Sequence, residues 1–566
     1  MRTAFIHGET GRYEAARFEL VTLFTQRHPD EVSAELAMLL LRDKYARDGL
    51  LAHWTEADVA HFVAQTAPRE ALLRSNWAAL PEFVHHWLDF LAEEDLLTGD
   101  PLDALHQTVD AAAQQYLAGM ADPSEWGTEK FWRTAMIERG IDETDVDAVA
   151  EFATLVENGE ADVDEELAER LDGDGETEEE ALWLPPVQLS GEEPHPEIAA
   201  DAPIIQQVAA AVRWAESSGD PSEADELVEA LGDTTTADLV LEWCERTGLL
   251  RMSDERIVPT LIAAPMLEEP GLLWTRLWQR FVLIEDAFRE QLEDVDEDAL
   301  PEIVQTLLSV LYTATEPVPV DALIDFAAEA LELEDSEALD PVVRTIVTQW
   351  IAMDAVHVAD EDEQSLEMRP AGQWAARESL RAFGFRVPTV DELGTAPAEL
   401  IALLFAESPP QTQRALSEQW IAHRGARQAA ADLAGVLGRV DEPGVRLAAL
   451  AILEYAGEEG VAAARGLVED ECCGAAVRVW LQAAAGLEAT RAGDEFAVTL
   501  DGMAATLEGG LEEFIADFSG QPTEDQLSLI NEMAKAETSS ATTLLHALGE
   551  YHPDEKVAAA ASAALS

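Results

Sequence analysis

The spacing closest to a binding motif in this chain is a carboxylate at every second position: Asp294, Asp296 and Asp298. Oxygen ligands at places 1, 3 and 5 open a calcium-binding loop, which also needs glycine at place 6 and a bidentate glutamate at place 12. Those two places hold Ala299 and Gln305. The expected structure is therefore a solvated, acidic helix start ahead of Ala299-Leu-Pro301. Asp172, Asp174 and Glu176 fail in the same way, with Trp183 at the twelfth place.

Other chemistries lack their residue sets. The sequence has neither G-x-x-x-x-G-K-[ST] nor G-x-G-x-x-G, the glycine loops that cradle phosphates. It has no G-x-S-x-G nucleophile elbow and no H-E-x-x-H zinc helix. His85 and His86 are adjacent, so on a helix they point about 100° apart and do not share a ligand. His53 and His61 are eight residues apart, roughly two helical turns. Cys244, Cys472 and Cys473 are too few for a disulfide framework and predict a reducing compartment. Trp77, Trp87, Trp243, Trp350 and Trp480 sit in helical apolar patterns and are expected to anchor cores. No catalytic, cofactor-binding or metal-binding residue is predicted, and no cofactor.

The elements that would position any site read as helices. Apolar residues recur at three- and four-residue spacing in Phe18, Leu20, Val21, Leu23 and Phe24, and again in Phe83, Val84, Trp87, Leu88 and Leu91. Thr55-Glu-Ala-Asp58 has the form of a capping box with Asp in place of Glu. These features predict a helical N-terminal domain over 1–156. Residues 157–180 hold 13 acidic side chains and one basic one, Arg170. Such a run buries too little apolar surface to offset its ordering entropy. It predicts a linker that continues through Leu184-Pro-Pro186 and Pro194-His-Pro196, giving bounds of 157–202.

Residues 203–385 carry one pattern twice. A helix at Asp225–Leu231 and a second near 235–247 precede the hairpin-like stretch Arg251–Thr260. A helix at Val320–Leu331 and a second through Trp350 precede Val356-His-Val358, the turn Asp360-Glu-Asp-Glu363 and Leu366–Pro370. Trp243 and Trp350 hold matching places. Helix, helix, hairpin is the order of a winged-helix unit. Residues 386–566 are alanine-rich, with short amphipathic helices such as Val477-Arg-Val-Trp480 and a Pro or Asp turn before V-x-x-A-A helices, as in His552-Pro-Asp-Glu-Lys-Val557-Ala-Ala-Ala-Ala561. They predict HEAT-like helical pairs, which bury their apolar faces by stacking. The expected fold is mainly α and multidomain.

The charge excludes more than the motifs do. The 566 residues include 35 Lys and Arg against 113 Asp and Glu, a net charge of −78. Lys44, Lys130, Lys535 and Lys556 are the only lysines. A surface this negative repels phosphate backbones and anionic lipid heads over a Debye length, about 8–10 Å. A DNA-reading helix and wing need cations. Here the first candidate helix pairs Asp238, Glu242 and Glu245 with Arg246, the second has Asp340 and Arg344, and the second wing tip is four carboxylates. Direct nucleic-acid binding is not expected. No secretory leader or membrane span is expected either, and the predicted location is the cytoplasm.

Asp48-Gly-Leu-Leu-Ala-His-Trp-Thr-Glu-Ala-Asp-Val-Ala-His-Phe62 resembles a recurrent stretch of large actinobacterial helical proteins that have winged-helix-like and HEAT-like segments. Leu366-Glu-Met-Arg-Pro-Ala-Gly-Gln-Trp374 is similar to the wing and following helix of the same proteins. The resemblance implies an actinobacterial origin and the layout above. It implies no activity and carries over no functional residue.

The functional expectation is a non-enzymatic scaffold or adaptor of the bacterial cytoplasm that engages a basic protein partner. Its alternatives are an acidic regulator or decoy of a DNA-binding protein, and an enzyme whose site is assembled from distant residues.

Overall fold

The computed structural model describes the chain apart from residues 7, 30, 73–76, 78, 159–160, 162, 165–166, 169, 172–181, 190–200, 254, 293–294, 296–298, 334–335, 361–363, 537 and 566. Both calcium-like runs, most of the acidic linker and the tip of the second hairpin lie outside the described residues. Helices make up 72% of the structure, with a few short strands. The chain divides into two units. One comprises Met1–Leu182, Glu392–Ser408 and Gln413–Ser566; the other comprises Trp183–Asp391 and Pro409–Thr412.

The first unit joins the two ends of the chain. Its N-terminal helices include Thr10–Arg27, Glu31–Asp48, Ala79–Glu93 and Leu102–Ala121. They close over Leu20, Phe24, Leu40, Trp54, Phe62, Trp87 and Tyr116, all fully buried. Phe24 meets Phe83, Trp87 and Phe90 edge-on at 5.1–5.6 Å, the offset geometry aromatic rings prefer. The helix Glu56–His61 begins on the Thr55–Asp58 box, with both reciprocal hydrogen bonds formed, and widens into a π-turn at Phe62–Thr66.

The C-terminal part of this unit is a two-layer helix array. Helices Ala398–Glu407, Pro443–Tyr455, Asp494–Gly509 and Ser539–Tyr551 pack one on the next as a row. Their starts recur every 45, 51 and 45 residues. Ala426–Arg439, Gly457–Ala464, Gly474–Ala485 and Glu555–Ala564 lie against that row. Ala398–Glu407 is buried on every side from Ala398 to Phe405, which is why its sequence is apolar all round.

The second unit shows the doubled pattern as helix, helix, hairpin. Asp225–Leu231 and Thr234–Arg246 precede antiparallel Leu250–Ser253 and Arg256–Pro259. Val320–Ala330 and Asp340–Ala352 precede antiparallel Val356–Asp360 and Ser365–Met368, with Val318–Pro319 added on the outer side of Ser365–Met368. Trp243 and Trp350 are both buried, and both rings lie against Phe281, with centroids at 5.2 and 6.2 Å. Between the two copies, Trp274 and Trp278 stack at 5.5 Å, and Trp278 continues onto Trp350. The segment at 183–187 runs parallel to 386–390, with Leu184 N–H donating to Arg386 at 2.9 Å.

Candidate functional site

Polar side chains of the first unit gather where its two ends meet. Thr3 and Ala4 are held in extended form by Leu50 and Leu51, with Leu51 N–H donating to the Thr3 carbonyl at 2.9 Å. Gly49 beside them has φ +69°, and a Cβ there would fall 2.0 Å from the Phe5 carbonyl oxygen. Only glycine allows that approach. The freed amides of Thr3 and Ala4 point at the Glu399 carboxylate, at 2.6 and 2.8 Å. The Thr3 hydroxyl and Arg439 donate to its other oxygen at 3.2 and 3.3 Å. Glu399 is 3% exposed. A carboxylate in that position needs these donors, because an unpaired buried charge costs several kcal/mol.

A cavity of about 240 Å³ opens beside this clamp. His53, Thr98, Arg424, Asp432 and Arg439 are among its walls. Arg424 pairs with Asp432 at 3.0 Å. The His53 Nδ1 lies 3.2 Å from the Thr98 hydroxyl. Burial, aided by the nearby Lys44 and Arg424 charges, lowers the His53 pKa.

Behind His53 lies a second polar cluster. Lys44 is fully buried and donates to Asp48 at 2.5 Å, with Asp58 at 3.0 Å and the Trp54 ring at 5.3 Å. Arg47 also donates to Asp58. Burial alone would raise the Asp58 pKa; Lys44, Arg47 and the Thr55 amide outweigh it and bring it to about 2. Asp43 goes the other way. Burial raises it despite the Thr66 hydroxyl at 2.6 Å. His61, lowered by burial, sits 3.8 Å from Asp43.

Comparisons with family models, with curated proteins and with solved structures found no match. What the site can do therefore rests on its geometry. The Glu399 carboxylate is occupied by internal donors, so the clamp holds the N-terminal residues to the helices Ala398–Glu407 and Ala426–Arg439. Among the described residues, no group of three or more His, Cys, Asp or Glu could hold a metal ion.

The histidines that sequence reasoning singled out do not converge. His53 faces Thr98 and His61 faces Asp43. His85 faces Asp110 at 3.1 Å and the His106 ring, while His86 stacks on His28. Cys472 is exposed, 3.3 Å from the Arg446 guanidinium, while Cys473 and Cys244 are buried. Trp87, Trp243 and Trp350 are core residues.

The structure also adds a pair that sequence reasoning missed: Ser519 and His552, 3.1 Å apart. The Asp554 amide donates to His552 Nδ1 at 3.1 Å. That bond leaves the neutral ring's proton on Nε2, so the histidine donates to the serine and cannot take its proton. The pair ties two helices together.

Deeper in the array, two buried arginines act alike. Arg478 grips Asp494 through two nitrogens at 2.8 and 2.7 Å. Arg446 reaches Asp501 at 3.3 Å, and the Ser540 hydroxyl donates to the same carboxylate at 2.5 Å.

Proposed function

We propose that the chain is a non-enzymatic interaction scaffold or adaptor of the bacterial cytoplasm, with winged-helix-like units used for protein contact and a HEAT-like helical platform, and that its partner is a basic protein. The observation that carries this reading is where the charges lie. Among the described residues, Arg2, Lys44, Lys130, Arg377, Arg446 and Arg478 are buried, six of only 35 cations. Asp43, Glu399, Asp494 and Asp501 are buried, four of 113 carboxylates. Where burial is described, a larger share of the cations than of the carboxylates is buried, and the surface is more acidic than the composition alone requires. Such a field steers cationic proteins in and turns phosphate backbones away.

Two further features support the reading. No helix among the described residues is long and apolar enough to cross a membrane. The helix rows are braced internally by arginine–carboxylate pairs, which suits a rigid platform. Affinity capture from a bacterial lysate at low and at high salt tests it. Retention at low salt of proteins rich in Lys and Arg, released at high salt, is expected. If no protein is retained at either salt, the reading fails.

A further inference from the structure

One face of the second unit departs from the acidic rule. Residues 246–283 carry Arg246, Arg251, Arg256, Arg276 and Arg280 against Asp254, Glu255, Glu268 and Glu269. The stretch is close to neutral in a chain of net charge −78. The same stretch exposes apolar side chains. Leu261 is 97% exposed, Leu272 59% and Ile262 40%. Ala264 and Pro265 are exposed beside them.

These residues share a surface. A Cβ built on Gly248 would lie 3.6 Å from the Arg276 guanidinium and 3.7 Å from Ile262. Thr260, next to Leu261, donates to the carbonyls of Gly248 and Leu249. Arg276 donates to the Thr247 carbonyl at 2.6 Å. Leu272 stands one turn before Arg276 on the helix Pro270–Gln279 and so shares its face. Arg251 and Arg256 on the hairpin, and Glu268 and Glu269 at the end of the following helix, are exposed in the same stretch.

We infer that this face is a self-association surface, whose occupant is a second copy of the chain. The charge pattern selects that occupant. A nucleic acid would call for cations without carboxylates, and a basic partner for carboxylates without arginines. A two-fold contact sets one patch against itself, so it needs both signs around an apolar centre.

The salt response follows. The remaining surface still repels its copy, and salt screens that repulsion while leaving apolar burial in place. Self-association therefore strengthens as salt rises, whereas capture of a basic partner weakens.

Light scattering coupled to size exclusion, run on the full chain at rising concentration in low and high salt, tests the inference. The expected result is a mass moving toward twice that of one chain, further at high salt. The doubly substituted chain, Leu261→Asp with Leu272→Asp, is expected to stay at the single-chain mass with an unchanged circular dichroism spectrum, since both side chains are exposed. A wild-type chain that remains single at every salt overturns the inference, and so does a dimer that the folded double variant retains. A monomer that still captures basic proteins removes this inference alone and leaves the scaffold reading intact.

Discussion

The Thr3 backbone amide donates to the Glu399 carboxylate at 2.6 Å, across 396 positions of sequence. Ala4, the Thr3 hydroxyl and Arg439 complete the shell. Met1 adds a further tie, its ammonium donating to the Arg439 carbonyl at 2.7 Å. Glu399→Ala leaves two buried amides and a guanidinium without their acceptor. The expected loss is about 3–5 kcal/mol in urea unfolding, with Glu399→Gln losing less because one oxygen remains. Deleting residues 1–4 is expected to destabilise by a similar amount.

Asp58 makes a pH-dependent contribution of known sign. Its folded pKa, about 2, lies below the ordinary 3.8. The stabilisation is complete above the ordinary value and disappears as pH falls through the folded one. Asp58→Asn keeps an amide oxygen for the Thr55 amide but removes the charge, leaving fully buried Lys44 with Asp48 as its remaining close carboxylate. The gap between wild type and Asp58→Asn in urea unfolding is expected to be constant near neutral pH and to shrink below pH 3.8.

Lys130 gives a slope of the same sign in a separate, alkaline window. It is 4% exposed, donates to the Pro68 carbonyl at 2.5 Å and lies over the Trp126 ring. Burial lowers its pKa to about 8, from 10.5. Between those values the unfolded chain holds more protons than the folded one, so stability rises with pH. Relative to Lys130→Met, the wild type is expected to gain stability as pH rises through that window. Parallel curves for the two proteins contradict this.

The three thiols should separate cleanly. Cys472 is exposed, although partial burial raises its pKa above the usual thiol value. Cys473 and Cys244 are buried, and burial takes Cys473 to about 12 and Cys244 higher. A colourimetric thiol reagent at mildly alkaline pH should titrate one group in the native chain and three in denaturant.

The features legible in the sequence are the local ones. The spacing of Phe83, Trp87 and Leu91 is that of a buried helical stripe, and the Thr55–Asp58 box closes as its spacing requires. The matching places of Trp243 and Trp350 were visible too. Their meeting at Phe281 was not, because no periodicity encodes which distant ring fills the gap between two anchors. Glu399 was invisible for a stronger reason. Its partners are mainly backbone amides at the far end of the chain, and a backbone amide leaves no mark in a sequence. The segment at 183–187 looked like linker because Leu184-Pro-Pro186 has no periodic pattern, yet it pairs with 386–390 through its backbone. Charge was legible as a total, but its sorting between interior and surface was not.

The salt dependence of partner binding tests the central claim most directly. A protein captured by this chain at low salt should be titrated against it across a series of salt concentrations. The account predicts a basic partner whose Kd rises steeply with salt, as an acidic surface engaging cations requires. A partner of acidic or neutral surface, or a Kd that does not change with salt, would contradict it.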